Sequence, residues 1–85
     1  MKQLKLKNEL RKIIIEQFKI KKSKINKNLS ADNIDKWDSL GHMLLVSTIE
    51  KKFKIKFRND DIPNILDEKA IYKKLSKKIK NNDNG

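Results

Sequence analysis

Residues 36–53 read KWDSLGHMLLVSTIEKKF, and the apolar residues from Leu40 onward are too many for one helical face. At 100° per residue, Leu45, Val46, Ile49 and Phe53 fall within an arc of about 100°, the width of a stripe that faces a core. Leu40 and Leu44 lie about 40° apart on roughly the opposite side, with Met43 at the edge between the two sets. A helix from Ser39 to about Phe53 thus has a core face and a second apolar face turned outward, where Leu40, Met43 and Leu44 form a candidate docking surface for another protein. Asp38 and Ser39 stand at its start. Either residue is a good N-cap. The free N–H groups and macrodipole of a helix start also favour a negative group, such as one built on Ser39 Oγ. Spacing alone leaves both readings of the serine open.

Outward from this helix, the pattern stays helical. Leu6, Leu10, Ile13, Ile14 and Phe18 recur at three- and four-residue steps, which predicts an amphipathic first helix from about Lys2 to Lys19. From Ile20 to Asp38 the periodicity breaks into a polar stretch pinned by Ile20, Ile25, Leu29, Ile34 and Trp37. A connection of that length is uncommon in a compact domain and is usually functional or mobile. Beyond KIKFRNDD, Pro63 suits a short helical piece or a turn around residues 60–65. Asp67 is a good N-cap for a last helix carrying Ile71, Leu75 and Ile79, flanked by Ala70 and Tyr72. FKIKF alternates but has no candidate partner strand. The expected fold is all-α: one domain over residues 1–80 with three main helices and one short one, a long loop between helices one and two, and a disordered tail, NNDNG, at 81–85.

Composition narrows the function. A chain of 85 residues builds one modest core and no cleft between lobes, and without cysteine it has no thiolate nucleophile, disulfide framework or Cys/His metal cluster. No metal site and no catalytic residue are expected. The single histidine, His42, lies one turn from Ser39, but lacks a third group to orient it as a base and reads as a surface or pocket-rim residue. The stretch MKQLKLKNELRKIII contains no apolar run longer than Ile13–Ile15, far short of a signal-peptide core or a membrane span, so a cytoplasmic, soluble protein is expected. The net charge of +11 raises an alternative function, a small basic helical module that binds nucleic acid or another protein. However, the 22 basic residues are spread along the chain, only two are arginine, and no aromatic residue is interleaved to stack on bases.

Taken together, KIIIEQF in the first helix, the long loop with its apolar pins, and DSL opening a helix that ends IEKKF resemble an acyl carrier protein over nearly the whole chain, from about Leu6 to Ile79. The resemblance implies a four-helix bundle in which Ser39 receives phosphopantetheine from coenzyme A through a phosphopantetheinyl transferase (holo-carrier synthase). The arm then carries an acyl or aminoacyl group as a thioester, so a protein without cysteine uses a borrowed thiol. By the same resemblance Asp38 helps the transferase engage the site, and Leu40 is a hydrophobic contact for partner enzymes. Two departures narrow the type. The loop reads IDKWDSL, with Ile34 and Trp37 supplying bulk where the family usually has a leucine-glycine pair. Gly41, Leu44 and Lys51 stand where the family's second helix is commonly acidic, leaving Glu50 as that helix's only carboxylate among the partner contacts. These departures imply a specialised, monomeric, stand-alone carrier served by its own acyl- or aminoacyl-activating ligase and an acyltransferase or synthase, in place of a housekeeping fatty-acid carrier.

Overall fold

The computed structural model describes residues 3–25 and 28–83. Among them the chain is all-helical, with three α-helices: α1 (Gln3–Phe18), α2 (Ser39–Phe53) and α3 (Glu68–Asp83). Two single 3-10 turns, Lys22–Lys24 and Ile62–Asn64, interrupt the connections. The second occupies the place where a short helical piece or turn was expected around Pro63. The start expected at Lys2 lies outside the described residues. At the other end α3 continues to Asp83, past the point where a frayed tail was expected; Asn84 and Gly85 lie outside the described residues. No described helix is long and apolar enough to cross a membrane.

One core joins the helices, and α1 packs against both α2 and α3. It is built from Leu6, Leu10, Ile14 and Phe18 of α1, Leu45, Val46 and Ile49 of α2, and Ile71 and Leu75 of α3, with Phe53 and Ile79 packed at its margin. Burying each such side chain contributes about 1.5–3 kcal/mol, which outweighs the weak intrinsic helix propensity of the β-branched isoleucines. The radius of gyration, 12.4 Å, is that of a compact globule of this length.

Both α1 and α2 stop at the same three residues. Phe18-Lys19-Ile20 ends α1 and Phe53-Lys54-Ile55 ends α2, with Lys19 (φ 50°) and Lys54 (φ 56°) in the left-handed region. In each case the following isoleucine reaches back five residues, Ile20 N donating to Ile15 O at 3.0 Å and Ile55 N to Glu50 O at 3.1 Å, the closing bond of a Schellman stop. After α2 the alternation in FKIKF is used without a strand: Ile55 and Phe57 are buried and Lys54 and Lys56 exposed.

The long connection between α1 and α2 is tied to the start of α3. Glu68 N donates to Leu29 O at 2.7 Å, Ala31 N to Leu66 O at 2.9 Å and Lys69 N to the Asn28 side chain at 3.1 Å, around an isolated antiparallel bridge between Ser30 and Asp67. Leu29, Ile34 and Trp37 are buried, and Ile20 and Ile25 partly so. Asp67 caps α3, its Oδ1 accepting from Ala70 N at 2.7 Å. The two connections that flank α2 are thereby held against each other, which positions the start of α2.

Candidate functional site at the start of α2

The helix start separates the roles of Asp38 and Ser39. Asp38 has extended backbone (φ −96°, ψ −169°) and its Oδ1 accepts from Gly41 N at 2.8 Å, so Asp38 is the N-cap. Ser39 is the first helical residue. It is exposed, and its hydroxyl has no hydrogen-bond partner among the described residues. The capping role that sequence alone could have given to Ser39 is filled by its neighbour, which leaves a free hydroxyl in the positive field of the helix terminus.

Gly41 explains why this turn carries no acidic side chain. A Cβ there would run into the Lys36 backbone carbonyl and would stand 3.0 Å from Phe18 Cε1 and 3.2 Å from Asp38 Oδ1. The chain entering α2 passes too close for any side chain, and a carboxylate would in addition face the capping one.

That close path is set by an aromatic and polar brace beneath the serine. Trp37 is buried and stacks on Phe18 with ring centroids 5.2 Å apart. Its Nε1 donates to His42 Nδ1 at 2.9 Å, and His42 Nε2 lies 2.8 Å from Ile62 O. Because Nδ1 accepts from the indole, the partners assign the proton to Nε2, which donates to the carbonyl. His42 is only 5% exposed. The expectation of a surface or pocket-rim histidine is corrected in burial, although His42 is among the residues that line the groove described next. Both ring nitrogens are committed, so no nitrogen is left to act on Ser39.

Beside Ser39 lies an open, mainly apolar groove of about 650 Å³, lined among others by Met43, Asn59, Ile62, Pro63 and Leu66. Further around α2, Leu40 is 71% exposed, Met43 53% and Leu44 50%, and Leu66 of the neighbouring connection adds to the exposed apolar residues. Ser39, Asp38 and Met43 thus share one groove, with Leu40 and Leu44 exposed on the same helix. Glu50 does not join them. It lies 11 positions after Ser39, about 16 Å along the helix. Its Oε2 accepts from Phe57 N at 2.9 Å and its Oε1 stands 4.0 Å from Lys56 Nζ, so this carboxylate secures the chain leaving α2.

The contribution that sequence reasoning missed is the chain from Trp37 through His42 to Ile62. A signal for it was present: His42 precedes Leu45, Val46 and Ile49 by three, four and seven residues, which puts it at the centre of the core stripe. No group of three or more metal-ligating side chains occurs among the described residues.

No protein-family model matches this chain, and no curated protein matches it significantly.

Proposed function

We propose that this protein is an acyl carrier protein of a specialised, stand-alone type, with phosphopantetheine attached to Ser39. The observation that carries the reading is the exposed, unbonded hydroxyl of Ser39 at the first residue of α2, with Asp38 already serving as the cap. An enzyme that modifies this oxygen needs no cap hydrogen bond to be broken, and the new phosphodiester sits where the helix terminus stabilises negative charge. In the transfer, Ser39 Oγ forms a bond to the β-phosphorus of coenzyme A, the pyrophosphate bond breaks, adenosine 3′,5′-bisphosphate leaves, and the hydroxyl proton passes to a base of the transferase. The attached arm supplies a thiol that holds an acyl or aminoacyl group as a thioester. Met43, Ile62, Pro63 and Leu66 offer an apolar part of the cargo a place out of water.

On this reading the three helices and the 3-10 turn at Ile62–Asn64 are the carrier bundle with its short helix reduced to one turn. Asp38 and the exposed Leu40, Met43 and Leu44 meet the transferase, the activating ligase and the acyltransferase or synthase. Glu50, held at Phe57 N, contributes to this contact only through the geometry of the helix end. Intact mass measured after incubation with coenzyme A and a promiscuous phosphopantetheinyl transferase is the test. The expected result is one phosphopantetheine increment, localised to Ser39 by peptide mapping and absent from Ser39→Ala. An unmodified wild type with several transferases, or equal modification of the alanine variant, would end the assignment. Salt-sensitive retention of DNA or RNA without modification would favour the basic-module alternative.

A further inference from the structure

A second groove, of about 550 Å³, runs between α1 and α3 and shares no residue with the groove beside Ser39. It is backed by the buried Leu10 and by Tyr72, and Leu4 stands at its edge 71% exposed. Lysines occupy both sides, Lys7 on α1 and Lys69 and Lys73 on α3, and none of the three has a carboxylate within ion-pairing distance among the described residues. The one carboxylate among the lining residues, Glu68, is committed: its Oε1 lies 3.5 Å from both Arg11 Nη1 and Leu29 N. Lys7 Nζ covers the Tyr72 ring at 5.3 Å from its centroid, and the Tyr72 hydroxyl is buried without a hydrogen-bond partner among the described residues.

We infer that this groove docks an acidic amphipathic helix of a partner protein, with apolar side chains entering between α1 and α3 and carboxylates meeting Lys7, Lys69 and Lys73. Charge complementarity selects the occupant. Two packed helices with an apolar valley and cationic shoulders fit a third helix whose apolar stripe is edged by carboxylates. Lys69, Lys73 and Lys77 are exposed one turn apart along α3, which matches carboxylates spaced i, i+4 on a helix lying alongside. A second copy of this chain is a poor occupant, because its own α1 and α3 bring lysines to lysines and its α2 has a single carboxylate, Glu50, already held at Phe57 N. A bilayer is a poor one too, since a broad anionic surface meets the convex lysine edges and sends nothing into the valley. Covered by Lys7, the Tyr72 ring is not a free platform for a nucleobase. The inference is independent of whether Ser39 carries an arm.

The probe is a synthetic helix-forming peptide of about 20 residues with leucines at i, i+3, i+4 and i+7 edged by glutamates. It is titrated at physiological ionic strength into the isotope-labelled full chain and followed by chemical-shift change. Shifts centred on Leu4, Lys7, Lys69, Tyr72 and Lys73 are expected, with affinity at least about tenfold above that of a scrambled peptide of the same composition. Lys69→Glu with Lys73→Glu should weaken binding at least about tenfold, whereas Lys21→Glu with Lys22→Glu, an equal change of net charge, should alter it less than about twofold. Leu4→Ser should also weaken binding, with melting unchanged because Leu4 is already exposed. Equal affinity for the scrambled peptide, equal losses in the two charge-reversed chains, or shifts that miss the groove would each overturn the proposal. So would a chain that binds phosphatidylglycerol-containing vesicles through Lys69 and Lys73 but ignores the peptide.

Discussion

His42 joins three stretches of chain with two hydrogen bonds: the entry to α2 at Trp37, α2 itself, and the turn before α3 at Ile62. Trp37 is buried, so its indole N–H cannot turn to water without opening the core, whereas Ile62 is partly exposed and lines the groove. His42→Ala strands the buried indole donor, removes the tie to Ile62 and leaves a cavity between them, so it should destabilise the fold by about 2–4 kcal/mol, or about 10–20 °C in melting for a domain of this size. Thermal melting followed by circular dichroism reads this directly, and a loss below about 0.5 kcal/mol would mean that water replaces the ring and the brace is dispensable. Part of this residue's role was legible. The helical period places His42 on the core stripe, but Trp37 lies five residues before it and Ile62 twenty after it, and no local pattern says that these two converge. Ser39 was the reverse case: its position was plain, and whether it or Asp38 caps the helix waited on the geometry of a single bond to Gly41 N.

At the scale of elements, α2 was the most legible because three signals coincide at its ends: a capping aspartate, a sustained period and a change of pattern after Phe53. What stops it was not legible, since its left-handed position is a lysine and the usual glycine signal is missing. The repeated Phe-Lys-Ile was the available clue, with an isoleucine placed to pack as the chain turns back; Ile55 is in fact buried. A lysine with φ near 56° carries a steric cost that glycine does not. Lys54→Gly should therefore stabilise the protein by up to about 1 kcal/mol, the gain in the folded state being reduced by the greater entropy of the unfolded chain. Lys54 is exposed, so no packing is lost. Denaturant unfolding should show a higher midpoint with an unchanged slope; a lower midpoint would mean that the aliphatic stem of Lys54 supports the turn more than its backbone strains it. The path of the long connection was out of reach of sequence for a different reason: its apolar pins were visible, but not the backbone bonds from Leu29 and Ala31 to the start of α3.

Across the whole molecule, charge is sorted by position. Asp32, Asp35, Asp38, Asp60, Asp61 and Asp67 all lie in the two connections that flank α2, which the Ser30–Asp67 bridge holds together near Ser39. Of the lysines in these same connections five fall between Lys19 and Lys27, ahead of the aspartates, and Lys36 is the one lysine or arginine in the stretches 29–44 and 59–67. The densest exposed row is on α3, where Lys69, Lys73, Lys77 and Lys80 stand at three- and four-residue steps. The end that carries the serine is therefore far less basic than the net charge of +11 suggests, and a partner meeting Leu40 and Leu44 is not facing the main lysine surface. Along α3, like charges one turn apart repel, and of its lysines only Lys74 has a carboxylate in ion-pairing range among the described residues, Asp61 at 3.5 Å. Such repulsion between exposed charges acts over a screening length of about 10 Å at 0.1 M salt and is nearly unscreened at a tenth of that concentration or less. Melting should accordingly rise by a few degrees between low and moderate sodium chloride. Lys77→Glu turns repulsions with Lys73 and Lys80 into attractions of about 0.3–0.5 kcal/mol each, so it should raise the low-salt melting temperature by a few degrees and flatten the salt response. If wild-type melting is flat or falls with salt, or if Lys77→Glu gains no more at low salt than at high, the lysines of α3 are already spread far enough to ignore one another. The net charge would then bear on what the protein meets and leave its stability untouched.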